Sequence, residues 1–272
     1  MNFDTKFRQF LPETRRLVVK VGTRVLADKS GRPTLARIRG LVSQVAALRR
    51  TGYEVVLVSS GAIGAGMATL GIRQRPTQVP DLQMCAAVGQ ARLIAMYEET
   101  AKDFRMRVGQ VLLTHDDFSS RIRTGNARRT LEHMLRAGVV PIINENDAVA
   151  DEEVKAFLSL GDNDYLAALV VKLVRADLLV LLSTVDGLYD MSVKPRRRIP
   201  SVEKIGPDLF KLVTPPAAGG ISKGGMDSKL RAAQIAAKAG CTVVIADGRK
   251  AGRLGAIIAG KDVGTIIPGT TL

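Results

Sequence analysis

The chain has 272 residues, 46% of them hydrophobic and 24% charged, which is enough apolar material for one large or two small lobes and excludes a disordered chain. No apolar run approaches the ~20 residues of a membrane helix, and the N-terminal "MNFDTKFRQFLPETRR" lacks the apolar centre of a secretion signal, so a cytoplasmic protein is expected. Forty Lys and Arg against twenty-six Asp and Glu give a formal charge of +14, which favours anionic partners such as nucleotides, acidic metabolites or nucleic acid without choosing among them.

Short β-branched runs recur along the chain, at "LVVKVG" from Leu17, "EVVLVSS" from Glu54, "RVGQVLLT" from Arg107, "VVPIIN" from Val139, "LLVLLS" from Leu178 and "TVVIAD" from Thr242. They predict buried strands. Between them lie segments of helical period. The first is "TLARIRGLVSQVAALRRTG", with Leu35, Ile38, Leu41, Val42, Val45 and Leu48 on one face and Gly52 as its stop. It is followed by "QMCAAVGQARLIAMYEETAKDF", "ARRTLEHMLRAG", "NDYLAALVVKLVRA" and "GGMDSKLRAAQIAAKAG". Strands alternating with helices predict an α/β protein with a mostly parallel sheet covered on both faces. The stretch from Gly187 to Gly220 is rich in Pro and Gly, and is read as surface loops with a short hairpin that separates an N-terminal from a C-terminal lobe.

In open α/β sheets ligands sit beyond the carboxyl ends of the strands, so the residues that follow each strand carry the chemistry. After the first strand, Lys20 falls inside the apolar pattern and Gly22 with Thr23 makes the turn. Such a lysine either snorkels from an edge or is directed at an anion, and the adjacent glycine favours the second. After the second strand, "SSGAIGAG" from Ser59 to Gly66 leads into a helix through small residues, which lets backbone amides approach a phosphoryl group or a carboxylate. Neither the Gly-rich dinucleotide fingerprint nor a Walker loop occurs with its proper spacing. After the fourth strand come "NEND", Asn144 to Asp147, and then "GDND", Gly161 to Asp164, at the start of a helix. One Asp or Asn there is explained as an N-cap; two clusters against apolar runs are not. A further Gly-rich segment, "SKGGMDSKL" from Ser222, places Lys229 about one and a half turns into a helix, within reach of the same sheet edge. Two lysines, Gly-rich turns and a few carboxylates are the parts that phosphoryl transfer needs, because that reaction depends on positioning and charge neutralisation.

Other features point away from competing chemistry. Cys85 and Cys241 lie in apolar patterns without a second Cys or His at ligand spacing, and are read as buried free thiols. His115 and His133 are the only histidines, read as surface or cap residues, which argues against a histidine-based hydrolase or zinc enzyme. Aromatics are 4% and there is no Trp, so no platform for stacking single strands is visible, and the "KPRRR" run from Lys194 is read as a solvated loop.

"LVVKVGT", "VSSGAIGAG", "AAVGQARL", "VPIINENDAV", "GDNDYLAAL", "VDGLYD" and "GGMDSKLRAA", in this order and from about Leu17 to the C-terminus, resemble the amino acid kinase family. The pairing of NENDAV with GDND is most similar to the branch that phosphorylates the γ-carboxylate of L-glutamate. The resemblance implies a three-layer α/β/α sandwich (the amino acid kinase fold), ATP and Mg²⁺ as cofactors, and the first step of proline biosynthesis. It also implies feedback inhibition by proline, a homo-oligomer (dimer or tetramer) and association with glutamate-5-semialdehyde dehydrogenase. Longer members carry a C-terminal PUA domain, and this chain ends at "GTIIPGTTL", where that domain would begin. The expectation is therefore a single kinase domain over 1–272, with an amino-acid-binding lobe at about 15–180 and a nucleotide-binding lobe at about 181–272.

Carried over by position, the resemblance makes Lys20 and Lys229 the groups that hold the transferred phosphoryl group and Asp164 the carboxylate that orients them. Ser60, Gly61, Asn144, Asp147 and Asn163 would bind glutamate, with Asp147 a partner for its α-ammonium. Gly22 and neighbouring amides would neutralise phosphoryl oxygens. Ser183, Thr184, Lys223, Gly224, Gly225 and Met226 would join Lys20 and Lys229 around ATP, and Asp162 would lie near the metal. The chain departs from the family at Ser183-Thr184, commonly Thr-Asp, and at Ser222-Lys223, commonly Gly-Thr, both on the nucleotide side. Three readings stay open: a glutamate-phosphorylating enzyme, a related enzyme with another acid acceptor such as acetylglutamate, and a non-catalytic regulatory or RNA-binding member.

Overall fold

The computed structural model describes residues 3–150, 163–213 and 225–270. The chain opens with helix α1 (Phe3–Arg8) and continues through strand β1 (Arg16–Val21), α2 (Thr23–Leu26), α3 (Leu35–Arg50), β2 (Glu54–Val58), α4 (Ala62–Thr69), α5 (Val79–Lys102) and β3 (Arg107–Leu113). Then come α6 (His115–Ser119), α7 (Arg121–Arg136), β4 (Val139–Glu145), α8 (Asn163–Val174) and β5 (Leu178–Ser183). A hairpin of β6 (Leu188–Asp190) and β7 (Arg197–Ile199) follows, then α9 (Pro207–Val213), α10 (Met226–Lys238), β8 (Thr242–Asp247), α11 (Arg253–Ile258) and β9 (Gly264–Ile267).

The central sheet has seven strands in the order β3-β4-β2-β1-β5-β8-β9. All neighbours are parallel except β8 and β9, whose antiparallel register pairs Val243 with Ile267 and Ala246 with Gly264. The six expected strands are all present. The short β9, which the sequence reading passed over, closes the edge beside β8. The expected lobe division near residue 180 falls inside β5, which pairs with β1 on one side and β8 on the other.

The sheet is parallel because its central strands are apolar on both faces, and burying each such Val or Leu contributes about 1.5–3 kcal/mol. In β1, Leu17, Val19 and Val21 pack into one core with α3, α5 and α11. Val18 faces the opposite core, formed with α8 and α10. Lys20 follows Val18 by two residues, so it shares that second face at the carboxyl end of the strand. Helix α3 starts where expected: the Thr34 side chain accepts from the Arg37 amide, and Ile38, Leu41, Val42, Val45 and Leu48 are buried. Leu35 departs from the predicted stripe: it is the first residue of α3 and is exposed. Among the described residues no helix is long and apolar enough to cross a membrane, and both cysteines are buried free thiols.

The small residues after β2 have two separate tasks. Gly61 caps α4 at φ +104°, a conformation that side chains rarely adopt. Gly66 and Gly89 instead let α4 and α5 cross closely: a Cβ on Gly66 would lie 1.8 Å from the Cys85 carbonyl oxygen, and one on Gly89 1.8 Å from that of Ala62. Gly66, at the end of the Gly-rich stretch, thus serves helix packing, a task the sequence reading of that stretch did not include.

Candidate active site

The carboxyl edge of β1, β2, β4 and β5 brings together residues far apart in sequence. Lys20 Nζ lies 2.8 Å from Asp164 Oδ1, and Lys229 Nζ lies 3.0 Å from Asp164 Oδ2. Ser228 Oγ donates to the same Oδ2 at 3.1 Å. One carboxylate at the first turn of α8 thus bridges an ammonium from β1 and another from α10. Asp164 is 1% exposed and Lys20 6%. Burial alone would raise the Asp164 carboxyl, but the charges of Lys20 and Lys229 and their hydrogen bonds hold it below the ordinary carboxylate range. The three residues predicted to act on the phosphoryl group therefore converge.

Beside this triad lies a buried polar cup. Asn163, the residue before Asp164, donates from Nδ2 to the Ser59 carbonyl (2.5 Å), Asn144 Oδ1 (2.9 Å) and Ser60 Oγ (3.1 Å). Its own Oδ1 is buried and has no hydrogen-bond partner among the described residues. Ser60, Asn144 and Asn163 are each more than nine-tenths buried. Asp147 sits in the turn that follows β4, and Gly61 lies next to Ser60 at the start of α4, where no side chain caps the helix. Ser59 Oγ and the Tyr97 hydroxyl meet at 2.9 Å behind the cup, and burial pushes the Tyr97 phenol up, so it stays neutral.

The nucleotide-side residues are distributed around the neighbouring strand ends. Ser183 ends β5 opposite Asp247, and the Thr184 carbonyl accepts from Arg249 Nη2 at 2.7 Å. Gly225 caps α10, which begins at Met226 and carries Ser228 and Lys229. Gly22 caps α2, but its amide donates to the Leu182 carbonyl at 3.2 Å. That amide is engaged in holding β1 against β5, which corrects the expectation that it is a free donor for phosphoryl oxygens. Asp162, Lys223 and Gly224 lie outside the described residues. Of the histidines, His133 is exposed, and His115 stacks on Tyr165, the neighbour of Asp164, with centroids 5.8 Å apart.

Sequence reasoning missed several members of this constellation. Gln90 on α5 accepts at Oε1 from Asn144 Nδ2 (3.2 Å) and Gln110 Nε2 (3.1 Å), and donates from Nε2 to the Glu145 carbonyl (3.0 Å). A signal was available: Gln90 follows Cys85, Ala86 and Gly89 on the buried face of α5, where a polar residue must find partners. Ser228 and the Asp247–Arg249 pair were likewise passed over.

The sequence profile of the amino acid kinase family matches residues 15–247. The chain belongs to the amino acid kinase family. Among relatives of this amino acid kinase, the glutamate 5-kinase of Moorella thermoacetica is 44% identical over 266 residues, covering 95% of this chain and 68% of that protein. The glutamate 5-kinase of Clostridium tetani is 42% identical over 274 residues, covering 97% of this chain and 98% of its own length. The amino acid kinase fold is seen in two solved structures: carbamate kinase from Giardia lamblia bound to AMP-PNP (TM-score 0.64, 16% identity, 95% of this chain and all of that one) and UMP kinase from Bacillus anthracis (TM-score 0.61, 14% identity, 95% and 97%).

Proposed function

We propose that this amino acid kinase transfers the γ-phosphoryl group of ATP to the γ-carboxylate of L-glutamate, giving γ-glutamyl phosphate for proline biosynthesis. The observation that carries the reading is the buried Lys20–Asp164–Lys229 triad set directly beside the Asn163 cup. Relatives named glutamate 5-kinase at 41–47% identity support the same acceptor.

In this reading the cup holds the amino acid. Asn163 Oδ1, a buried acceptor without a partner among the described residues, and Asp147 receive the α-ammonium, while the Ser60 hydroxyl and the first-turn amides of α4 receive carboxylate oxygens. The γ-carboxylate then points toward Lys20. A carboxylate oxygen attacks the γ-phosphorus, and the bond from that phosphorus to the β–γ bridging oxygen breaks to release ADP. Lys20 and Lys229 approach from opposite sides and neutralise the charge spread over the equatorial phosphoryl oxygens. Asp164 performs no proton transfer; it keeps two ammonium groups together in a site that would otherwise expel one of them. Burial excludes water, which would intercept an acyl phosphate.

In this reading Ser183, Thr184, Gly225 and Met226 line the nucleotide. Mg²⁺, when bound with ATP, would supply neutralisation of phosphate charge. The donor set fits an ion carried largely by phosphate oxygens and water: both Asp164 oxygens face lysines, and among the described residues no group of three His, Cys, Asp or Glu could hold a metal. Asp162 remains the protein group proposed to approach it. Proline, which shares the ammonium and carboxylate of an amino acid, is proposed as an inhibitor at the cup, in a cytoplasmic homo-oligomer.

The test is ADP release from Mg-ATP that depends on L-glutamate, with hydroxylamine present to trap acyl phosphate as the hydroxamate. Stoichiometric hydroxamate is expected. ATP binding without hydroxamate, followed by turnover with another acid, would replace the acceptor.

A further inference from the structure

The orientation of each amide around the cup is determined by chemistry alone. Asn144 Oδ1 accepts from the Glu145 backbone N–H at 3.0 Å, and a backbone N–H can only donate. Asn144 must therefore turn Nδ2 toward Gln90, which answers with Oε1 at 3.2 Å. The other end of Gln90 meets the Glu145 carbonyl at 3.0 Å, a group that can only accept, so Gln90 must place Nε2 there. Gln90 is thus held in one orientation from both sides, and Gln110 adds a second donor to its Oε1. Asn163 is constrained in the same way: the Ser59 carbonyl and Asn144 Oδ1 are both acceptors, so Nδ2 must face them. What is left over is Asn163 Oδ1, a buried carbonyl oxygen without a partner among the described residues.

We propose that Gln90 is a positioning residue for the acceptor substrate. By bracing Asn144 it shares with the Ser59 carbonyl the task of holding the Asn163 amide, so that Asn163 offers the substrate an acceptor and never a donor. The inference rests on the proposed function, and deepens it by naming what sets selectivity for an acceptor with a free ammonium group. An Asn163 turned the other way would present N–H groups to that ammonium and repel it. The relay runs from Glu145 through Gln90, Asn144 and Asn163 to the substrate, and Gln90 itself touches no reacting atom.

The experiment compares L-glutamate with glutarate, the same diacid without the amine, in the parent and in Gln90→Met, which keeps the volume but has no amide. The hydroxamate assay gives kcat and KM for both acids and KM for ATP. In Gln90→Met the KM for glutamate should rise by about threefold to tenfold, the range of a neutral hydrogen bond, since the Ser59 carbonyl still holds Asn163. The KM for ATP should hold, and the preference for glutamate over glutarate should shrink by the same factor. Gln90→Glu serves as the second variant: it keeps the acceptor toward Asn144 but loses the donor toward Glu145, and should fall between parent and Gln90→Met. A folded Gln90→Met that keeps the parental preference, even with lower activity on both acids, overturns the relay while leaving the function intact. Should Gln90→Met fail to fold, Gln90→Glu with parental preference overturns it instead. No hydroxamate from the parent with glutamate overturns the functional reading, and the relay with it.

Discussion

Replacing Asp164 with Asn removes the charge that holds two buried lysines together, and its cost can be worked from the geometry. The carboxylate is 1% exposed and offers one oxygen to Lys20 at 2.8 Å and the other to Lys229 at 3.0 Å. An amide of the same shape keeps one acceptor but turns N–H groups toward the second ammonium. Breaking a buried pair by removing one partner costs about 3–5 kcal/mol, which for a chain of this size is a fall in Tm of about 6–20 °C. Saturating Mg-ATP should narrow that gap, because its phosphates return an anion to the stranded lysines. The acid limb provides an independent check. Since the folded carboxyl is held below its unfolded value of about 3.9, its contribution is complete above that pH and is lost as the pH falls through the folded value. Parent and variant should therefore differ by a constant amount near neutrality and converge in strong acid. Calorimetry at several pH values measures this. An Asn variant that melts with its parent at pH 7, or a deficit unchanged in strong acid, would refute the account of Asp164 as the clamp.

The remaining expectations concern separate parts of the molecule. Lys229→Met, which leaves Asp164 paired with Lys20, should lower kcat by at least ~100-fold, since a contact to developing charge is worth about 3 kcal/mol; unchanged turnover in the hydroxamate assay would remove Lys229 from the chemistry. Asp147→Asn should raise the glutamate KM while leaving most of kcat, the signature of lost ground-state binding, and a large fall in kcat at saturating glutamate would contradict that assignment. Gly66→Ala, whose Cβ would meet the Cys85 carbonyl oxygen at 1.8 Å, should cost about 1–3 kcal/mol or more in urea unfolding. Gly22→Ala, whose Cβ would meet nothing closer than 3.7 Å, should unfold with the parent, and a clear loss of stability there would contradict the packing drawn around β1.

Much of this was readable before any coordinates. The β-branched runs identified six of the strands because a parallel sheet buried on both faces demands them, and Lys20 was visible as a polar residue within the first run, Asp164 at the entry to a helix and Lys229 early in another. What escaped was anything whose meaning depends on a neighbour from elsewhere in the chain. Gln90 looks like one more residue of a long helix until Asn144 and Glu145 are beside it. Gly66 looks like part of an anion-binding turn until α4 and α5 are seen to cross at it and Gly89. Gly22 was placed correctly, but the carbonyl of Leu182 that engages its amide comes from β5, about 160 residues later. The four-residue β9 was too short for its alternation to register against the surrounding loops.

Asn163 and Asp164 are neighbours in the chain, and consecutive positions on a helix point about 100° apart. From one turn of α8 the first reaches into the cup and the second grips the lysines. The spacing between the backbone of the cup residue Asn163 and that of the carboxylate that clamps the lysines is therefore set by a single peptide linkage, the stiffest element a protein has. Outer helices can shift and loops can open without changing that interval. Any displacement of the first turn of α8, in contrast, carries Asn163 and Asp164 together, so the cup and the lysine clamp respond as a pair.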